Sequence, residues 1–355
     1  VGERGNEIPQ LIHKLGKLMD RTVVVANTSD MPLYSRITAV YIGITIAEYF
    51  RDQGYHVTLL CDSITRLTSA WKQSLRLQGR VWDNSCWNCL GPRLASFFER
   101  AGVVEVFNQG HHKRGSVTIV GAVSPLSGNF ADSVTSVTLS IVQTFWGLDA
   151  KLAKRRAFPA VNYSHSWSKS FKNFKENHFF DKKYPSYIAD CKRCVKILEN
   201  ENQLNEIVQL VGIDCLADRD KFRVFVGKLI QEAFFPQDLY SLDAYCPFYK
   251  TAGMLHNICQ YYSLGMKYFA QIEENNNPSN NNNDPINNND KNSGKVTLKD
   301  FKQKTFHLTS HIYEMKDLDP WEGEDSLSAK LWGLCEDIVY EFEELDNPTG
   351  FNIKG

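Results

Sequence analysis

Residues 56–66 read HVTLLCDSITR, a short apolar run of Val57, Leu59, Leu60 and Cys61 that ends in Asp62, with Ser63 beside it and Arg66 four positions on. A carboxylate at the carboxyl end of a central parallel strand lies where open α/β sheets bind ligands. There it can hold a water-coordinated Mg2+ on a nucleotide's phosphates. Ser63 could support it, and Arg66 could meet phosphate or a partner carboxylate. A plainer reading competes, in which Asp62 caps the following helix and Ser63 opens its first turn. GERGNE (2–7) puts Glu3 and Arg4 side by side after a glycine. Glutamate can polarise an attacking water and arginine can bind phosphate, although such a pair alone also reads as a solvated turn. Phe158 in FPAVNY and Phe248 in CPFYKTAG read singly as core residues. If their regions pack together, the same rings could sandwich a purine. The phosphate-cradling signature G-x-x-x-x-G-K-[ST] does not occur in these 355 residues.

These groups need elements to position them. An apolar run without alternation predicts a strand at 56–61 covered on both faces. TVVVANTS (22–29) reads as another buried strand. Between them, Leu33 to Arg51 carries Ile37, Val40, Ile44, Ala47 and Phe50 at helical spacing, so the stretch predicts the strand–helix–strand unit of a parallel α/β domain. PRLASFFERAG (92–102) reads as a further helix and GSVTIVGAVS (115–124) as a further strand.

Beyond about Ser166 the pattern turns helical. Leu204, Ile207, Val208 and Val211 form one stripe, closed by Gly212. Phe222, Phe225, Val226, Leu229, Ile230 and Ala233 form a second, and Leu331, Leu334, Cys335, Ile338 and Phe342 a third. All three read as helix-packing faces. The asparagine-rich tract 275–293 has little to bury and reads as a disordered insertion. Two C-x-x-C pairs, Cys86/Cys89 and Cys191/Cys194, invite a zinc reading but stand too far apart for a compact zinc module.

A formal net charge of −1 gives no electrostatic ground for nucleic acid or an anionic membrane. No apolar stretch approaches the roughly 20 residues that span a bilayer. Nine scattered cysteines, an odd number, fit a reducing compartment. The expectation is a soluble intracellular protein.

The segments GERGNE, VANTSDMP, GITIAEYFRDQGYHV, DSITR, RLASFFERAG, RGSVTIVGAVSP, VTLSIVQTFWGLDAKLA, FPAVNYSHSWSK, EIVQLVG and CPFYKTAGML follow one another from Val1 to about Ala270. In that order they resemble the catalytic A subunits of V-type proton ATPases. The resemblance implies an α/β, RecA-like parallel-sheet core over residues 1–165 and a C-terminal helical domain over 166–355. It implies ATP and Mg2+ as cofactors, a ring alternating with B subunits, central and peripheral stalk subunits as further partners, and no nucleic acid. The chain would meet membrane only through the assembled pump, on the cytosolic face of vacuolar or endosomal membranes. By motif match Glu3 resembles the glutamate that activates the attacking water, Arg4 its phosphate-facing neighbour, Asp62 the Mg2+-supporting aspartate with Arg66 in the same motif, and Phe158 and Phe248 the adenine pocket. On this reading Asp62 both starts a helix and holds the water shell of the metal. The family's glycine-rich phosphate loop would precede Val1, so the sequence is expected to be the C-terminal two-thirds of such a protein. Residues 67–90 and 124–133 depart from the family pattern, and Ser69 stands where the family carries glutamate. The alternative is a non-catalytic or decaying paralogue with an assembly or regulatory role.

Overall fold

In the computed structural model, which describes residues 1–79, 87–108, 111–125, 128–169, 184–237, 242–276 and 298–346, the run ending at Asp62 is a strand. The chain divides into two units, residues 1–145 and 146–355. In the first, strands β1 (His56–Cys61), β2 (Gly102–Asn108) and β3 (His111–Gly121) make a sheet in the order β1–β3–β2. β1 runs parallel to β3, from His56↔Ser116 to Cys61↔Gly121. β2 pairs antiparallel with β3, because the two residues joining them are far too few for a parallel crossover. The unit's helices are α1 (Glu7–Leu15), α2 (Leu33–Asp52), α3 (Ile64–Leu77), α4 (Trp87–Phe98) and α5 (Ser133–Ile141). Ile44 of α2, Ile64, Leu67 and Trp71 of α3, Leu94 and Phe97 of α4 and Val117 of β3 share one buried cluster. Arg100, just past α4, donates through Nε to Glu48 of α2 at 2.9 Å and holds that carboxyl below its usual range.

Two expectations fail here. Thr22–Ser29 is no strand: its one bridge is Glu3↔Thr28, and Val23 and Val25 are exposed. The run has strand propensity, but a strand also needs a partner along its length, and among the described residues only Glu3 bridges to it. The parallel pairing is instead β1 with β3. Nor is β1 covered on both faces. Val57, Leu59 and Cys61 turn towards the helices, while Leu60 is 74% exposed on the other side, as is Val103 of β2 at 70%.

The second unit is helical: α6 (Ala150–Lys154), α7 (Tyr187–Val211), α8 (Asp218–Leu229) running on through a π-helical turn (Ile230–Phe234), α9 (Phe248–Asn276), α10 (Leu298–Lys304), α11 (Phe306–Glu314) and α12 (Glu324–Asp346). The two stripes centred on Phe222 and Leu331 are packing faces as expected: Phe222, Val226, Leu229, Ile230, Ala233, Ile338 and Phe342 lie in one core with α9 residues. The stripe at 204–211 is different. α7 buries only residues from its first four turns, ending at Glu201, whereas Ile207 and Val211 are exposed beside an 85%-exposed Leu210. Leu204 and Val208 on the same stripe are only part-buried, and Gly212, at φ +85°, ends the helix. The asparagine tract lies outside the described residues beyond Asn276, the last residue of α9.

One charged pair in this core couples stability to pH. Asp190 of α7 is buried, and its Oδ2 lies 2.8 Å from Nδ1 of His256 on α9. That hydrogen bond raises the imidazole pKa to about 9, with Cys335 of α12 adding to it against the cost of burial. Ser186 (3.3 Å) and Gln260 (3.5 Å) also face the ring, and Arg193 lies 3.4 Å from the other Asp190 oxygen. Because the folded-state pKa lies above the unfolded value, the stabilisation is complete below about pH 6.5 and is lost as pH rises through about 9. The expected loss is on the order of 2 kcal/mol. Urea midpoints of the helical unit at pH 6 and pH 9.5 measure it. His256→Gln is expected to flatten the difference, and equal pH profiles for the two proteins would contradict the assignment.

Candidate functional site

The site is assembled from the start of the chain and the end of β1. Gly2 has a left-handed φ of +65°, which costs a glycine nothing and turns the chain so that Glu3 lies against residues 27–29. Glu3 N–H donates to Asn27 O at 3.2 Å, and Ser29 N–H donates to Glu3 O at 2.9 Å. From the other side, the Val1 nitrogen donates to Asp62 O at 2.6 Å. Arg66, in the first turn of α3, lies 3.2 Å from the Glu3 carboxylate and donates to Gly2 O. Glu3, Arg66 and the carboxyl end of β1 therefore lie in one cluster.

The helix start belongs to Ser63 rather than Asp62. Ser63 Oγ accepts from Arg66 N at 3.4 Å, and Ser63 is the N-cap residue of α3. The reason is geometric: a cap must reach the N–H two or three residues on, and Ser63 has that spacing to Arg66. This leaves the Asp62 carboxylate exposed, with no hydrogen bond or ion pair to a described residue. Its water-facing oxygens fit the water-mediated support of a hard cation. Burial pushes the neighbouring Cys61 thiol up to about 11, so it stays protonated. Arg4 is exposed, and its carbonyl accepts from Glu7 N–H at 3.0 Å as α1 begins. Ser69 returns its hydroxyl to Thr65 O at 2.9 Å. The departing stretch 67–90 falls partly outside the described residues, at 80–86.

Two groups here escaped the sequence reading. Arg36 of α2 donates to Ser29 O, and its Nε is buried without a hydrogen-bond partner. Asn27 is buried, with Oδ1 likewise unpartnered. The only sequence signal for Arg36 was one basic side chain in the otherwise uncharged start of α2.

The aromatic positions lie in the second unit. Phe158 is half exposed, and its carbonyl accepts from Gln237 N–H at 2.8 Å. Gln237 is on the rim of a cavity of about 200 Å³ lined also by Phe234, Phe235, Asp243, Cys246, Thr251 and Met254. Phe248 follows Cys246 by two residues. Its ring is met edge-on by Tyr184 and Tyr187, with centroids at 5.1 and 4.8 Å. Phe158 thus meets a lining residue through its backbone alone, Phe248 packs against the two tyrosines, and neither phenylalanine lines the cavity. Of the two C-x-x-C pairs, Cys86 lies outside the described residues. Cys191 and Cys194 share α7, where burial raises both thiols, Cys194 to about 12.

A family model described as the ATP synthase alpha/beta family, nucleotide-binding domain, matches residues 1–168, and one for the C-terminal domain of V and A type ATP synthase matches residues 176–272. Isoform 2 of the V-type proton ATPase catalytic A subunit of Drosophila melanogaster is 39% identical over 364 residues, covering 98% of this chain and 55% of its own length. The chain is a relative of the V-type ATPase catalytic A subunits. The corresponding protein of Arabidopsis thaliana is 41% identical over 366 residues, with the same coverage of both chains. The chain therefore spans about half the length of these curated relatives. Among solved structures, the ATP synthase protein NeqB from Nanoarcheaum equitans superposes with a TM-score of 0.61 at 19% identity, over 74% of this chain and 62% of that one, a likeness of fold. The α/β nucleotide-binding core followed by a helical C-terminal domain is the expected fold class, and the three-stranded sheet is mixed, with β2 antiparallel. No helix among the described residues is long and apolar enough to cross a membrane.

Proposed function

We propose that this chain forms the C-terminal part of an ATP-hydrolysing catalytic A subunit in a rotary V-type proton pump. The observation that carries the reading is the cluster at the end of β1, where Arg66 grips the Glu3 carboxylate at 3.2 Å beside the exposed Asp62. Glu3 would take the role of orienting the attacking water and accepting its proton, and Arg4 and Arg66 that of meeting phosphate charge. Asp62 would hold Mg2+ through water, the ion neutralising charge on the phosphates when bound. Phe158 and Phe248 would flank the purine, aromatic faces stacking on a base at little geometric cost. The nucleotide-binding part would run to residue 165 and the helical domain from 166.

Partners follow from the same reading: B subunits alternating in a ring, and central and peripheral stalk subunits. The uncovered apolar tip of α7, with Ile207, Leu210 and Val211 exposed and Ile213 just beyond, suits a surface that meets a stalk. The chain would sit peripherally on the cytosolic face of vacuolar or endosomal membranes. A non-catalytic paralogue with an assembly or regulatory role is favoured by one observation, Ser69 in place of the family's glutamate with its hydroxyl spent on Thr65.

The deciding experiment purifies the native complex containing this chain and reconstitutes it in vesicles. Mg2+-dependent ATP hydrolysis with acidification of the lumen is expected. A complex that assembles without hydrolysing ATP supports the non-catalytic reading, and a chain that recovers no ring subunits overturns both.

A further inference from the structure

Glu3 is held twice, and the two holds come from different helices. Arg66 of α3 lies 3.2 Å from its carboxylate and donates to the preceding carbonyl, so it fixes the side chain. The backbone is held by the hook at 27–29: Asn27 O accepts from Glu3 N–H at 3.2 Å, and Ser29 N–H donates to Glu3 O at 2.9 Å. The hook is no strand and has no sheet to brace it. Within the turn Met31 N–H donates to Thr28 O and Asn27 Nδ2 to Met31 Sδ, both at 3.2 Å, and the tie from the body of α2 is Arg36, whose Nη2 donates to Ser29 O. The Arg36 stem also reaches Glu3's neighbour: a Cβ built on Gly2 would lie 3.7 Å from Arg36 Cδ and 3.7 Å from Arg66 Cδ. Two guanidinium stems thus flank the Gly2–Glu3 turn, one anchored in each helix. Arg36 Nε is buried there without a hydrogen-bond partner, a desolvation cost accepted where the stem packs.

We propose that Arg36 is a positioning residue that fixes the Glu3 backbone through the 27–29 hook while Arg66 fixes its carboxylate. The inference rests on the reading of Glu3 as the water-activating glutamate. A general base works only within hydrogen-bond reach of the proton it takes, and a displacement of about 1 Å can cost about 100-fold in rate. Binding of nucleotide does not pass through the hook, so the effect belongs in kcat rather than KM.

The test places Arg36→Met, Arg36→Lys, Glu3→Gln and the Arg36→Met/Glu3→Gln double variant in the assembled complex. Arg36→Met keeps the stem but loses the donor. It is expected to lower kcat about 10- to 100-fold with KM for ATP within about twofold, and to speed amide exchange at Glu3 and Ser29. Arg36→Lys keeps a donor and is expected to recover part of both losses; it also serves if the methionine variant does not assemble. On the Glu3→Gln background Arg36→Met is expected to change kcat little further, because both act on one group. Normal kcat in a folded Arg36→Met complex, or the same proportional loss with and without Glu3, overturns the role of Arg36. Normal turnover in Glu3→Gln overturns the reading of Glu3 itself, and the two failures are distinguishable.

Discussion

Replacing Glu3 with glutamine is expected to lower ATP turnover by about 100- to 10,000-fold, the usual contribution of a positioned general base, while leaving assembly and folding nearly unchanged. The separation of the two effects follows from how the residue is held. Its backbone hangs on Asn27 and Ser29 whatever the side chain is, and glutamine can still accept from Arg66, which lies 3.2 Å away. The ion pair lost is part-exposed, with 46% of the Arg66 side chain open to water, and pairs of that kind contribute about 0–1 kcal/mol. What glutamine cannot do is accept a proton. Steady-state hydrolysis and a thermal melt of the complex, measured on the same preparation, separate the outcomes. Lost turnover with an unchanged melt is expected, and unchanged turnover removes Glu3 from the chemistry.

The parts of the molecule legible in its sequence are those whose signal is local. The Phe222 and Leu331 stripes repeat at helical spacing, and a helix that can bury such a stripe does so. Asp62 and Glu3 announced themselves by residue type beside a strand end and a glycine. The 204–211 stripe has the same periodicity as the others, yet Ile207 and Val211 are exposed, because periodicity shows that a face is apolar and not what covers it. Thr22–Ser29 has a strand's composition, but pairing depends on a neighbour that propensity does not supply. Asp62 and Ser63 are both good capping types, and the reach from Ser63 to Arg66 N–H decided between them. Arg36 was invisible for a stronger reason. Its role depends on folding back onto Ser29 and lying beside Gly2, contacts across the chain that no spacing encodes.

Phe222→Ala is expected to destabilise the helical unit by about 3–5 kcal/mol, the range for emptying a buried aromatic site. Phe222 is completely buried at the centre of the aromatic core. Its ring lies 5.3 Å from Phe269 and from Phe301, 5.8 Å from Tyr261, and stacks at 6.2 Å on Tyr262 with planes 7° apart. Rings from α9 and α10 converge on this α8 residue, so no single side chain can turn to refill the space. The packing also explains Gly265 on α9: a Cβ there would come within 2.3 Å of Phe222 Cζ, far inside van der Waals contact. Gly265→Ala alone is therefore an overpacking change, expected to cost about 1–3 kcal/mol. In the Phe222→Ala protein the same methyl enters the vacated space, and its cost is expected to vanish or reverse. The coupling is the discriminating quantity. Amide exchange of α8 and α9 read by mass spectrometry gives the stability of this unit separately from the nucleotide-binding one, where a single global midpoint would blend the two. Losses that simply add would mean that Phe222 and Gly265 do not meet as described. A double variant more stable than the sum of the singles would mean that the missing side chain at 265 is what lets α9 close on the Phe222 ring.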